Sequence, residues 1–384
     1  VPADGDILLF RDGQETVLYS AETAGPALDP HLSPDGLKCA FVLKSDLCVV
    51  YLDRPNEVIC VAPAEEEGVT NGLADFLAQE EMDRYQGFWW SPDSTQLLFT
   101  SVDDRNVPHY CITRQGKDVV EQELYRYPFA GGPNPIVKLG AVALPPRQQS
   151  AVDGNSSPVH WLCISEDDVE HYIARAGWWA DGSVMVQVQS RDQSTLDVKR
   201  IDLRQENGAA TTLIRETASS WINLHDMLTP LSLTWRPPST AGGEESDAAD
   251  DFYFIWASER SGFCHLYLYR FNATSNTAEC VHTLTGGDWV VDAVDAVDEV
   301  RCAFRAISSS VWPSQNDPTG SSLQENNIVY FSGTLDSPLE KHLYAVPLWP
   351  THADSAIPQR LTRSPGIHSV QVSVKSNVFV DLFS

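Results

Sequence analysis

The sequence predicts an all-β fold, and three observations carry that prediction. Short runs of alternating apolar and polar residues dominate the chain, turn tetrapeptides punctuate them, and one strand–turn–strand unit recurs. The strand runs are 37–42, 47–52, 97–102, 184–188, 252–256, 265–269, 329–332 and 342–346. Between them stand Ser33-Pro34-Asp35-Gly36, Ser91-Pro92-Asp93-Ser94, Asp181-Gly182 and Ser261-Gly262, residues that reverse a chain at low steric cost. Composition agrees: 11 Trp, 12 Tyr, 14 Phe and 24 Pro against only 3 Met suit many short strands better than a helical bundle.

The recurring unit narrows the class. Pro30-His31-Leu32-Ser33-Pro34-Asp35-Gly36 precedes strand 38–43, and Trp89-Trp90-Ser91-Pro92-Asp93-Ser94 precedes strand 96–101. Gly177-Trp178-Trp179-Ala180-Asp181-Gly182 precedes strand 183–189, an alignment that makes Trp90 and Trp179 equivalent. A unit of about 45 residues forming a small antiparallel sheet cannot hide both its faces alone, whereas radial stacking does so and leaves only short edges. The expected fold is therefore an eight-bladed-type β-propeller over residues 1–384, with one short helix between blades. A β-sandwich is the runner-up, but it leaves the recurring turn unexplained. Segments 236–251 and 314–327, rich in Pro, Gly, Ser and acids, read as surface loops.

Charge excludes several partners. With 26 Lys plus Arg against 53 Asp plus Glu, the net charge is −27, which repels nucleic acid and anionic lipid. No stretch of about 20 apolar residues and no basic-then-apolar leader is visible. The 8 cysteines form no C-x-x-C, and the 10 histidines form no H-E-x-x-H, so the reading is free thiols, no metal and no cofactor. Two sequons occur, at Asn155 and Asn272.

The one helical window is 71–85, with Asn71 as N-cap, Gly87 as C-terminal cap and an apolar stripe of Leu73, Phe76 and Leu77. That stripe runs into Glu80, and Glu81 follows. The residues leave two readings open. Either Glu80 is solvated or paired to Arg84 at i+4, or two carboxylates about 100° apart on the helix approach one ammonium from two sides.

At this point the local sequence is recognisable. Gln79-Glu80-Glu81-Met82-Asp83-Arg84-Tyr85-Gln86-Gly87-Phe88-Trp89-Trp90 resembles the Q-E-E-F-D-R-F-T-G-Y-W-W signature of the dipeptidyl peptidase IV family, in particular its cytosolic members 8 and 9. Further matching stretches follow in family order: Tyr125-Arg126-Tyr127-Pro128, Tyr172-Ile173-Ala174-Arg175-Ala176-Gly177-Trp178, Trp221-Ile222-Asn223-Leu224-His225-Asp226, Gly262-Phe263-Cys264-His265-Leu266-Tyr267 and Pro338-Leu339-Glu340-Lys341-His342-Leu343-Tyr344. The resemblance implies a propeller preceding an α/β-hydrolase domain whose Ser-Asp-His triad releases N-terminal X-Pro or X-Ala dipeptides. It implies that Glu80 and Glu81 hold the free α-ammonium of the peptide, that segment 107–126 forms an arm serving a homodimer, and that the protein is cytoplasmic.

Departures are as informative. The chain contains no G-x-S-x-G nucleophile elbow, so this region alone is expected to be inactive. The first and last blades read as incomplete, and the family's carbonyl-binding arginine has no counterpart that can be assigned. His225-Asp226 is no dyad, because neighbours in a strand face opposite ways. Two other classes stay in play: a non-catalytic propeller that binds a free-amine or basic peptide, and a purely structural scaffold.

Overall fold

The strands form where apolar side chains alternate, and neighbouring runs pair antiparallel through their turns. A computed structural model describes residues 2–116, 120–144, 157–165, 170–205, 209–237, 250–299, 327–349, 357–374 and 378–383. Cys302, the sequon at Asn155 and almost all of segments 236–251 and 314–327 lie outside the described residues.

The chain divides into two compact units, Val1–Ile222 and Asn223–Ser384. In the first, Ala27–Leu32, Lys38–Leu43, Asp46–Tyr51 and Val58–Ala62 make a four-stranded meander. A five-stranded sheet follows around the central strand Gln96–Asp103, and then a meander of His171–Trp178, Val184–Ser190, Thr195–Ile201 and Thr211–Thr217. The second unit repeats the plan with the Thr229–Thr283 strands and the Val291–Arg360 strands, followed by the hairpin His368–Ser373 with Val378–Phe383. These blade-like sheets make the all-β, propeller-type fold the repeat predicts. All eight expected strands form, two of them shifted by one residue (Lys38–Leu43 and Asp46–Tyr51) and the others longer by one to three residues.

Each unit carries its own apolar core. Leu98, Leu139, Ile173, Val186 and Ile201 pack between two sheets of the first, and Ile255, Leu266, Trp289, Phe331 and Tyr344 between two sheets of the second. Phe252–Ser258 is buried at every position, as expected of a strand covered on both faces.

The turn repeat is real, but its register differs from the one expected. Ser33 N–H donates to Lys38 O (2.9 Å) and Ser91 N–H to Gln96 O (2.9 Å), and the matching bond in the third copy runs from Trp179 N–H to Ser183 O (2.8 Å). Trp179 therefore stands where Ser33 and Ser91 stand, and it is Trp178 that matches Trp90. The indoles confirm it. Trp90 Nε1 donates to His31 O (3.2 Å) and Trp178 Nε1 to Trp89 O (3.1 Å), each reaching back to the equivalent carbonyl of the preceding sheet. A Trp-Trp doublet offers two registers one residue apart, and sequence alone cannot choose between them.

Segment 107–126 contains a hairpin of His109–Arg114 with Glu121–Arg126, register Tyr110↔Tyr125. Tyr110, Ile112, Val120, Leu124 and Tyr125 are exposed on or beside it. A second, one-turn helix, Ala21–Ala24, was not foreshadowed by any pattern; Asp6 Oδ1 accepts its first N–H (2.6 Å). Among the described residues seven cysteines are free thiols, three of them buried: Cys39 and Cys48 in strands, and Cys264 just before one.

Candidate functional site

The expected helix forms, but it is shorter and held differently. It spans Phe76–Met82. Asp75, not Asn71, is the N-cap, its carboxylate accepting from Leu77 N–H (3.0 Å) and Ala78 N–H (3.1 Å). Asn71 ends a strand and donates its side-chain amide to Pro63 O (2.9 Å). The C-cap is Asp83, left-handed at φ 55°. Gly87 has no capping role; a Cβ there would sit 2.4 Å from the Leu73 carbonyl carbon, so it is a glycine of close backbone approach.

The buried face is not the predicted stripe. Ala78 and Met82, four residues apart, face inward, whereas Leu73 lies outside the helix and Phe76 is 40% exposed. Phe76 instead rests on Tyr127 at a ring-centroid distance of 5.2 Å, and Tyr127 touches Phe129 (5.0 Å) and Tyr110 (6.0 Å) at the base of the hairpin.

Glu80 and Glu81 occupy the last helical turn, and both are exposed. Neither carboxylate has a hydrogen-bond or ion-pair partner among the described residues. The i+4 pairing of Glu80 with Arg84 does not form, because the helix ends at Met82 and Arg84 turns inward. It is 5% exposed. Its Nε donates to Ile173 O (3.1 Å), its Nη1 to Gln86 O (2.8 Å), and its Nη2 lies 3.6 Å from Asp75. Burial pushes this guanidinium down to about 10, against the pull of Asp75 and with the push of Arg175. Tyr85, exposed beside the pair, has its phenol raised by the charge of Asp83 and a hydrogen bond to it, with a smaller push from Glu80.

Several acids elsewhere are matched to cations. Asp251 meets Arg270 at 2.7 Å, Asp181 meets Arg200 at 2.6 Å, and Asp197, on a cavity of about 490 Å³, holds Arg215 and Lys199 at 2.6 and 3.5 Å. Glu80 and Glu81 instead stand adjacent and open on a short anchored helix. They present up to four oxygen acceptors to a ligand with several N–H donors, which describes a primary ammonium. Among the described residues no cluster of three or more His, Cys, Asp or Glu is arranged to hold a metal ion.

His225 is a structural residue. Its Nδ1 accepts from Met227 N–H (3.2 Å), its Nε2 contacts Ala257 O (2.8 Å), and its ring lies 4.5 Å from that of Trp256. With both ring nitrogens in use at the backbone, no base is free.

Sequence reasoning missed Asp75 as the N-cap and the inward roles of Arg84 and Arg175. Arg175 Nη1 donates to Met82 O (2.8 Å) and to Ala174 O (2.8 Å). Asp75 carried a signal, since an Asp two residues before the apolar pair Leu77-Ala78 is a ready N-cap. The arginines carried none that periodicity could reveal.

Comparison with known proteins gives a consistent result. A family model described as the dipeptidyl peptidase IV N-terminal region matches residues 6–317 and 304–384. Human dipeptidyl peptidase 8 is 27% identical over 94% of this chain and 42% of its own length. Rat inactive dipeptidyl peptidase 10 is 26% identical over 65% of this chain and 29% of its own. Among solved structures, dipeptidyl peptidase 4 of Porphyromonas gingivalis superposes with a TM-score of 0.67 at 21% identity, covering 94% of this chain and 42% of that one. The chain thus spans less than half the length of the relatives it matches.

Proposed function

Because the chain belongs to the dipeptidyl peptidase IV family, through its N-terminal region, we propose that it is the propeller region of a serine exopeptidase like dipeptidyl peptidases 8 and 9, with Glu80 and Glu81 holding the free α-ammonium of the peptide substrate. The observation that carries this reading is the open pair of carboxylates on one clamped helical turn. An enzyme that removes X-Pro or X-Ala dipeptides must measure two residues from a free amine. One end of that ruler is the nucleophile, and the other is a charge-selective stop. A blocked or internal peptide brings no cation to the acids and is rejected by the charge left unpaired.

In this reading the nucleophile belongs to an α/β-hydrolase domain of the same protein; the 384 residues here contain no G-x-S-x-G. The region's partners are then that domain, peptides with a free N-terminus and, through the exposed apolar side chains of the 109–126 hairpin, a second copy. The cytoplasm is the proposed location. The test is kinetic, in the full-length protein. Glu80→Gln or Glu81→Gln should lower kcat/KM for a free-amine X-Pro substrate by a factor of about 10–1000, the loss of one charge-assisted hydrogen bond with some mispairing of the rest. Unchanged kinetics would remove the assignment. The separated region should release no dipeptide, and turnover blocked by a serine-directed inhibitor would contradict that.

A second reading, a non-catalytic propeller that captures a free-amine peptide, draws on the relative described as inactive. It predicts that the same two variants abolish peptide binding in a protein that shows no hydrolysis.

A further inference from the structure

We propose that Arg84 and Arg175, gathered at a β-bulge in the neighbouring sheet, are the positioning residues of the Glu80–Glu81 pair. The proposal rests on the reading of that pair as an amine site.

A seven-residue helix is far below the length at which helices persist unaided. This one buries only Ala78 and Met82, too little to fix its rotation. Something else must hold two side chains to the tolerance that recognition of one ammonium demands. The sheet supplies it. Along strand His171–Trp178 the register passes from Ile173↔Val188 to Arg175↔Gln187, so Ala174 is an extra residue, a bulge. A bulge disrupts the ladder locally and re-aims side chains. Here both arginines converge on it. Arg84 Nε takes Ile173 O (3.1 Å), and Arg175 Nη1 takes Ala174 O (2.8 Å).

From that point each arginine reaches one end of the helix. The Arg84 guanidinium lies 3.6 Å from Asp75, whose carboxylate caps the first turn. Arg175 Nη1 donates to Met82 O (2.8 Å), the carbonyl of the last helical residue. Successive helical residues point about 100° apart, so a small rotation about the axis would swing one glutamate away from a shared ligand. Pinning the N-cap and the last carbonyl to one rigid strand forbids that rotation. The arrangement is costly, since two guanidinium groups lie close together and one is almost wholly buried. A lone structural tie between helix and sheet would be met more simply by apolar packing.

The test compares KM with kcat in the full-length protein, on a dipeptidyl-Pro substrate with a free N-terminus. Arg175→Met, Arg175→Lys and Arg84→Lys are measured beside Glu80→Gln and Glu81→Gln, with active-site titration to count folded enzyme. Positioning predicts a rise in KM of about five- to fifty-fold with kcat per titrated site within about twofold. It also predicts that Arg175→Met adds no more than about twofold to Glu81→Gln, because both act on one contact. An arginine that only stabilises the fold would reduce the titratable enzyme and leave KM unchanged, and that result overturns the proposal. Arg175 is only half-buried, so its variants decide the matter if Arg84→Lys does not fold. Raised KM in the glutamate variants with normal KM in the Arg175 variants overturns the positioning role alone. Normal KM in both glutamate variants overturns the amine site with it.

Discussion

The carboxylate of Asp251 has no solvent exposure and accepts three hydrogen bonds, from Arg270 Nη2 (2.7 Å), Arg270 Nε (3.1 Å) and Ala273 N–H (2.8 Å). Such a pair adds little net stability when intact, yet removing one member strands the other in low dielectric. Asp251→Ala should therefore cost about 3–5 kcal/mol, read as a lowered denaturant midpoint with unchanged slope. A change below about 1 kcal/mol would mean that Arg270 finds water. Asp35 offers a test with a sign. Burial alone would raise its carboxyl, but the Lys38 ammonium and the hydrogen bonds from Ser33 and Leu37 outweigh that and hold it at about 2, below the ordinary 3.8. The folded protein thus takes up the proton less readily than the unfolded chain. The stabilisation is complete above pH 3.8 and is lost as pH falls through about 2. Wild type should melt above Asp35→Asn at pH 6, and the gap in Tm should close as pH falls towards 2. A gap that persists there would assign the effect to hydrogen bonding rather than charge.

The turns that join strands also join neighbouring sheets. Ser94 is left-handed at φ 61°, where Gly36 and Gly182 stand in the equivalent turns at 67° and 78°. A serine accepts that strain because its hydroxyl receives the Asp35 N–H (3.0 Å) from the preceding sheet's turn. The indole bonds of Trp90 to His31 and of Trp178 to Trp89 make the same kind of link one position earlier. Trp178→Phe and Trp90→Phe should each cost about 0.5–1.5 kcal/mol, near the net value of one hydrogen bond, with additive effects in the double variant. Loss above about 3 kcal/mol from either would show that cavity formation, not the hydrogen bond, dominates. These links also show what the sequence could convey. Strands were legible because alternation and turn residues act within a few positions. The two candidate acids, Glu80 and Glu81, were legible from their motif. The partner of Arg84 was not, because the i+4 rule presumes a helix that continues, and a left-handed Asp83 stops this one at Met82. The bulge at Ala174 was invisible for a related reason: Tyr172-Ile173-Ala174-Arg175 reads as ordinary strand until pairing inserts the extra residue. The misplaced tryptophan match likewise needed a hydrogen bond across two sheets to correct it.

At the scale of the whole chain the ruling quantity is charge. Fifty-three acidic against 26 basic side chains leave a net charge of −27 at pH 7. Many cations are committed to near neighbours, such as Arg204 to Asp202 and Arg105 to Asp103, so the excess is spread as unmatched surface acid. Two effects of added salt then oppose each other. Screening weakens the local ion pairs, which lowers stability, and it weakens the long-range repulsion of the excess acids, which raises it. Exposed pairs are each worth little, about 0–1 kcal/mol, and the tightest sit at contact distances well inside the Debye length of about 10 Å at 0.1 M salt. The repulsion, by contrast, is summed over many charges at separations near or beyond that length, where screening is most effective. Repulsion should win. Tm at pH 7 should rise between 20 and 300 mM NaCl and rise alike with KCl, since screening depends on ionic strength and not on the cation. A fall in Tm over that range would show that the ion pairs carry more of the stability than the net charge removes. The same field should keep the region from binding a polyanion such as heparin at low salt, while a peptide with a free, positively charged N-terminus is drawn towards it, and most strongly when salt is low.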